Sequence, residues 1–197
     1  MKNRFIHCLH VGSLETNCWI YSMPDEKTGQ TFCAVIDPGA DSSLIIEYLK
    51  KNNLCPQYIL LTHGHFDHVT ALPQVAKTFP DAVTVIHKND ASFMKFKAGR
   101  LAAGEETIGP FTVMHLPGHS PGSAAFYDSE GGILFSGDTL FHGDCGRTDL
   151  PGGSKKEIAG SLARLLAMEP GIRVLPGHGP ETTIEKEASR GLAYFTG

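Results

Sequence analysis

The sequence has 197 residues, 41% of them hydrophobic and 19% charged, with a formal net charge of −4 at pH 7. That length suits a single domain over residues 1–197 and leaves too little chain for two full cores. The acidic balance offers no broad basic face for nucleic acid. No run of about 18 apolar residues could span a bilayer, and the first ten residues lack the apolar stretch of a secretory signal.

The first third reads as strands. Residues 4–11 and 17–22 alternate or run apolar, a polar turn is expected at 24–30, and 31–36 is a β-branched apolar run. It ends at Asp37-Pro38-Gly39, a turn signal. Asp41 is placed to cap a helix with Leu44, Ile45, Tyr48 and Leu49 on one face, fading at Asn52-Asn53. Residues 57–62 read as a buried strand centred on Ile59-Leu60-Leu61.

A histidine-rich loop comes next, then a second helix bearing Val69, Leu72, Val75, Ala76 and Phe79, and a strand at 83–87. Residues 88–109 carry a short helix near 91–96 and then a polar, glycine-containing loop. Strands are expected at 111–116, 123–127 and 133–136. Ser154-Lys155-Lys156-Glu157 is a capping box opening a helix with Ile158, Leu162, Leu165 and Leu166 inward. A last strand is expected at 173–175, and a second capping box, Thr182-Thr183-Ile184-Glu185, opens the terminal helix. Two groups of strands, each followed by helices, favour a sheet-on-sheet core with helices outside. A doubly wound α/β sheet is the rival at the level of pattern.

The five cysteines (Cys8, Cys18, Cys33, Cys55, Cys145) are scattered, odd in number and without a C-x-x-C pair. That argues for a reducing, cytoplasmic setting. The ten histidines are informative because of where they fall. His63-Gly64-His65-Phe66-Asp67-His68 places three imidazoles and a carboxylate within six residues directly after a buried strand, an arrangement expected by chance roughly once in a thousand such chains. Imidazole nitrogen and carboxylate oxygen are donors that suit zinc, and also iron or manganese. Taken alone, Asp67 reads as a helix cap and each histidine as structural; together they point to metal.

Three further donors stand at glycine-flanked positions after strands: His119 in Pro117-Gly118-His119-Ser120-Pro121-Gly122, Asp138 in Ser136-Gly137-Asp138-Thr139, and His178 in Pro176-Gly177-His178-Gly179-Pro180. Each alone is more often a loop residue, and the repeated placement raises them. Seven donors suit two ions sharing one carboxylate: His63, His65 and His119 for the first, Asp67, His68 and His178 for the second, with Asp138 bridging. Two cations would lower the pKa of a shared water toward ~7 and leave about +1 of charge for a developing oxyanion. His87, His115 and His142 are not expected to be ligands. Cys145 is expected only to pack.

These residues resemble the metallo-β-lactamase superfamily, and within it the short, glyoxalase II-like (hydroxyacylglutathione hydrolase-like) hydrolases. The likeness runs through Gly12 to Cys18, Asp37-Pro38-Gly39, Thr62 to His68, Gly118 to Ser123, Gly137 to Phe141, Gly146 to Gly153 and Pro176 to Pro180. The resemblance implies an αββα sandwich, two mixed sheets packed face to face with helices outside and the metals at one edge. It also implies hydrolysis of the thioester S-lactoylglutathione, with Asp67 orienting the attacking hydroxide. This sequence departs from longer members at three points. It ends at Gly197 without their C-terminal helical region, carries Gly179-Pro180 where they have a tyrosine, and has Arg147 in place of a lysine. Arg147 is a candidate for holding a substrate carboxylate, with pairing to Asp144 or Asp149 as the alternative. Rival activities are a mononuclear-iron persulfide dioxygenase using His63, His119 and Asp138, and a lactonase with the full ligand set. The expected partner is a small-molecule thioester, with no nucleic acid and no membrane, and the sequence leaves the oligomeric state open.

Overall fold

Two-residue periodicity builds the first sheet. Phe5–Val11 (β1) pairs antiparallel with Thr16–Asp25 (β2), in which Trp19 and Tyr21 face one side and Cys18 and Ile20 the other. The computed structural model describes residues 3–25 and 29–196; of the expected turn at 24–30, Pro24, Asp25 and Gln30 instead pair in strands, and residues 26–28 lie outside the described residues. Gln30–Ile36 (β3) continues the sheet antiparallel to β2, and helix α1 (Ser42–Lys51) buries Ile45 and Leu49 against it. Tyr58–Leu60 (β4), Val83–His87 (β5) and Arg100–Ala102 (β6) then add in parallel, giving the order β1-β2-β3-β4-β5-β6.

Between β4 and β5 the expected single helix is two pieces, α2 (Phe66–Val69) and α3 (Leu72–Thr78). Pro73, in the first turn of α3, has no N–H to donate back to Val69, so the first helix cannot run on. Two further expectations hold only in part. Asp41 stands at the N-cap position of α1 without its side chain bonding the helix; its carboxylate accepts the Gly12 N–H at 2.7 Å, tying two loops together. The helix expected at 91–96 is a 3₁₀ turn at Lys88–Phe93, and β6 lies within the stretch expected to be loop.

The second sheet is formed by Glu106–Ile108 (β7), Phe111–His115 (β8), Ala124–Asp128 (β9), Ile133–Gly137 (β10), Arg173–Pro176 (β13) and Thr182–Thr183 (β14). Its order is β14-β13-β10-β9-β8-β7, with only β10 and β13 parallel. A small hairpin, Leu140–Phe141 (β11) and Asp144–Cys145 (β12), follows β10. Helix α4 (Lys155–Leu166) starts where the capping box predicts, the Ser154 hydroxyl accepting the Glu157 N–H at 3.2 Å. The second box is shifted by one residue. Thr183 caps α5 (Ile184–Arg190), and Thr182 instead donates to buried Glu187 at 2.5 Å. A short helix, α6 (Leu192–Thr196), follows.

Three apolar layers result. Between the sheets, Trp19, Tyr21, Phe111, Phe126 and Phe135 meet edge-on, with Tyr21 and Phe111 ring centroids 4.8 Å apart. Outside the first sheet α1 and α3 cover Ile20, Val35 and Ile59; outside the second, α4 and α5 cover Leu116, Leu134 and Val174. This is an αββα sandwich of two mixed sheets, and the doubly wound alternative is excluded because the sheets are two and pack face to face. Among the described residues no helix is long and apolar enough to cross a membrane.

Parallel pairing decides where function can sit. β3, β4 and β5 run the same way, so the loops after them leave one edge of the sandwich; β10 and β13 do likewise in the second sheet. The two sheets are stitched at that edge. Trp19 Nε1 and Asn17 Nδ2 both donate to the Pro176 carbonyl at 2.9 Å, and Ala124 N donates to the Thr62 carbonyl at 2.8 Å.

Candidate metal centre

All seven predicted donors converge at that edge, from the four connections after β4, β8, β10 and β13. His63 and His65 follow β4, and Asp67 and His68 lie in the single turn of α2. His119 follows β8, Asp138 follows β10, and His178 follows β13. His65 Nδ1 is 2.8 Å from His119 Nε2, and His68 Nε2 is 3.3 Å from His178 Nε2. Asp67 Oδ2 is 3.2 Å from His178 Nε2. Asp138 lies between the two groups, with Oδ1 3.4 Å from His68 Nε2 and Oδ2 3.5 Å from His119 Nε2 and 3.6 Å from His178 Nε2. Ligand atoms of three triplets come within 4.8 Å of one another: His63, His65 and His119; His63, His68 and Asp138; Asp67, His68 and His178.

Close approach of the backbone makes this packing possible. A Cβ at Gly39 would lie 1.7 Å from the Asp67 carbonyl oxygen, and one at Gly177 would lie 2.2 Å from Asp138 Oδ1. Only glycine fits at either place.

The outer nitrogens of four imidazoles are spoken for. Buried Asp37 accepts the Thr62 N–H at 2.8 Å, the Thr62 hydroxyl at 2.6 Å and His68 Nδ1 at 3.0 Å. Because the Thr62 hydroxyl gives its proton to Asp37, its oxygen is free to accept from His63 Nδ1, 3.1 Å away. His119 Nδ1 is 2.8 Å from the Arg147 carbonyl, and His178 Nδ1 is 3.2 Å from that of Leu14. Each contact places the proton on Nδ1 and leaves the Nε2 lone pair facing the centre, the arrangement a metal-binding imidazole requires. One carboxylate, Asp37, thereby orients two histidines.

A second buried carboxylate aligns the loops themselves. Asp90 accepts from Gly64 N at 2.9 Å, Ser120 Oγ at 2.7 Å and Gly122 N at 2.5 Å, joining the His63–His68 loop to the His119 loop. Neither Asp37 nor Asp90 was expected as a site residue. Asp37 stands in a turn tripeptide with positive φ (53°), and Asp90 in a segment without periodicity, so only their burial exposes the role. Asp37→Asn is expected to weaken metal affinity about 10–100-fold, the usual cost of losing a ligand's outer partner. Competition with a chromophoric chelator would measure it; unchanged affinity would remove Asp37 from the centre.

The electrostatics are those of a site short of positive charge. Burial and the neighbouring imidazoles push His63 well below its ordinary value. Burial pushes His68 down too, but Asp138, Asp37 and Asp67 outweigh it and hold it up at about 9. His178 is raised by its bond to Asp67. Burial pushes Asp67 up, and His178 and His68 more than reverse that, to about 2. Carboxylates here stabilise cations wherever one can form. Four buried side-chain polar atoms among the described residues lack a hydrogen-bond partner, and two of them, His63 Nε2 and Asp138 Oδ1, belong to this set. Buried donor and acceptor atoms are rarely left so, and a cation between them would use both. The residues therefore fit a pair of divalent ions.

Arg147 lines the cleft above the donors, and Asp149 takes its guanidinium at 2.7 and 2.6 Å, the pairing alternative of the sequence reading. His87 and His115 stand apart from the centre, their rings stacked 4.0 Å apart, and His142 is exposed. Cys145 is half-buried, its thiol donating weakly to the Phe195 carbonyl at 3.6 Å.

Comparison with known proteins agrees with this architecture. Bacillus subtilis YqgX, named a probable metallo-hydrolase, is 35% identical over 90% of this chain and 91% of its own. The hydroxyacylglutathione hydrolase GloC of Haemophilus influenzae is 31% identical over 92% of this chain and 94% of its own. Among solved structures, the BLEG-1 B3 metallo-beta-lactamase superposes with a TM-score of 0.85 at 33% identity, covering 94% of this chain and 97% of that one. TTHA1623 in a di-iron-bound form gives 0.83 at 37%, covering 92% and 96%. Residues 11–178 match the metallo-beta-lactamase superfamily as a whole. With the αββα fold and its edge of seven convergent donors, the chain belongs to the metallo-beta-lactamase superfamily.

Proposed function

We propose that this chain is a dinuclear metal-dependent hydrolase that cleaves thioesters of the S-lactoylglutathione type. The observation that carries the reading is the convergence of seven donors with His63 Nε2 and Asp138 Oδ1 buried and unpartnered among them. One ion would be held by His63, His65 and His119, a second by Asp67, His68 and His178, with Asp138 shared. Zinc suits this set, and iron or manganese can replace it; the di-iron form of TTHA1623 supports the iron option. When bound, such ions supply a water of lowered pKa and positive charge opposite a developing oxyanion.

The chain's own residues do the positioning. Asp37, directly and through Thr62, keeps the lone pairs of His68 and His63 directed inward, and the Arg147 and Leu14 carbonyls do the same for His119 and His178. Asp67, held ionised, takes the Thr16 hydroxyl at 3.3 Å and is placed to orient an attacking water. The departing thiol, with an ordinary pKa of about 8.5, leaves as thiolate without a dedicated acid. The likeness to GloC supports the thioester class. The five free cysteines support a reducing, cytoplasmic setting. The reading further holds that residues 1–197 act as one domain on a small molecule, without nucleic acid or membrane, with Arg147 beside the substrate.

Asp67→Asn is expected to lower turnover at least about a hundredfold while the fold survives; near-normal activity would remove it from this role. His178→Ala is expected to release one ion and keep the other, and unchanged stoichiometry would overturn that assignment. The primary test is hydrolysis of S-lactoylglutathione by the purified protein, with thiol release followed and metal content recorded. Turnover with about two ions per chain supports the reading. Failure with two ions bound points to a lactone or β-lactam, and failure with one iron bound points to persulfide oxidation.

A further inference from the structure

Phe66, the spacer between His65 and Asp67, is a large apolar side chain left 70% exposed. It lines three cavities, a small one beside Leu14 and Thr70 and two larger ones. One of the larger is the cleft over the donors, of about 660 Å³, walled by Leu14, Phe141, Leu150 and Pro151. The other is a groove of about 340 Å³ beside α2 and α3, lined by Val69, Leu72, Phe93, Met94 and Phe96. Phe93 joins them. Its ring centroid is 6.1 Å from that of His65, and its Cζ would lie 3.8 Å from a Cβ at Gly152, beside Pro151. An apolar track thus runs from the donors past Phe66 and Phe93 into the groove.

Charge along this track is sparse. Apart from the seven donors, the charged side chains lining the cleft among the described residues are Asp144 and Arg147, and Asp149 takes the Arg147 guanidinium. Among the described residues Lys95 is the one charged side chain lining the groove. A thiol carrying two carboxylates finds little here to hold it, whereas an alkyl chain finds apolar area.

We propose that the groove receives the apolar acyl chain of the substrate, so that uncharged medium-chain acyl thioesters are preferred to S-lactoylglutathione. This rests on the thioesterase reading. Burying a methylene is worth about fourfold in affinity, so a chain that enters the groove produces a steep length dependence.

The test uses the zinc-loaded full chain with N-acetylcysteamine thioesters of acetyl, butyryl, hexanoyl and octanoyl groups, beside S-lactoylglutathione. We expect kcat/KM to rise about tenfold or more from butyryl to octanoyl, with octanoyl above S-lactoylglutathione. Met94→Asp should flatten the series; Phe96→Ser serves if that variant does not fold. A flat series in the presence of S-lactoylglutathione turnover overturns the groove and leaves the thioesterase reading standing. If no thioester is cleaved, that reading fails, and the groove is decided by calorimetry with the matching S-alkyl thioethers. Affinity rising with chain length, and flattened in the variant, supports the groove. Affinity independent of length overturns it.

Discussion

Asp138→Ala is expected to lower turnover by about 10²–10³, roughly 3–4 kcal/mol of transition-state stabilisation, and to reduce bound metal below two ions per chain. Its two oxygens face both halves of the donor set, at 3.4 Å from His68 Nε2 and at 3.5 and 3.6 Å from His119 and His178. Among the described residues no other carboxylate does so, and Asp67 pairs with His68 and His178 of one half. Alanine leaves the scaffold in place, since Asp37 and Asp90 hold the loops by bonds that do not involve Asp138. Steady-state kinetics beside elemental analysis would check the prediction. Two retained ions and unimpaired turnover would remove the bridging role.

A large loss of stability is expected at Asp128→Asn, in the core between the sheets. The Asp128 carboxylate is 1% exposed and takes Arg4 Nε at 2.5 Å, the Tyr21 hydroxyl at 2.7 Å and Gly131 N at 3.0 Å. Asparagine keeps the volume but removes the charge, leaving the largely buried Arg4 guanidinium with a more distant partner in Glu130 at 3.5 Å. Breaking a buried pair from one side costs about 3–5 kcal/mol; the Glu130 contact argues for the lower end, or roughly 6–12 °C in melting temperature. Burial pushes the Asp128 carboxyl up, and Arg4 and Tyr21 more than reverse that, so it titrates below its ordinary value. The stabilisation is therefore present above an unfolded pKa of about 3.9 and is lost as pH falls through the lower folded value. Melting curves of the two proteins should converge on acidification below about pH 4; a constant gap would mean the carboxylate's charge is not what stabilises this corner.

The donors were legible because their signal is local. His63 to His68 is a six-residue cluster after an apolar strand, and His119, Asp138 and His178 each sit beside glycines at a strand end. Strands such as β2 and β10 declare themselves as apolar runs bounded by turn residues, and α4 by its capping box. Segments lacking such marks were misread. β6 and β7 are three residues each, too short for a period to show, and their edge positions come from pairing with β5 and β8. Asp41 and Thr182 carry the side chains of helix caps, yet both bond elsewhere: Asp41 to the Gly12 N–H of another loop, and Thr182 to the buried Glu187 carboxylate within the helix it precedes.

The sequence by itself marked seven candidate donors and their attachment to strand ends, since the residue types that can ligate metal and glycine-permitted turns are properties of a few adjacent residues. It also favoured a two-sheet class, through the grouping of strands and helices, and the face-to-face packing of the two sheets then excluded the doubly wound rival. Only the tertiary structure decided that donors as far apart as His63 and His178 face one point, because that depends on β4 and β13 belonging to different sheets stitched at one edge. It alone assigned Asp37 and Asp90 to the centre, and Arg147 to Asp149. Those roles arise from burial and long-range hydrogen bonds, and neither leaves a trace in the neighbouring sequence.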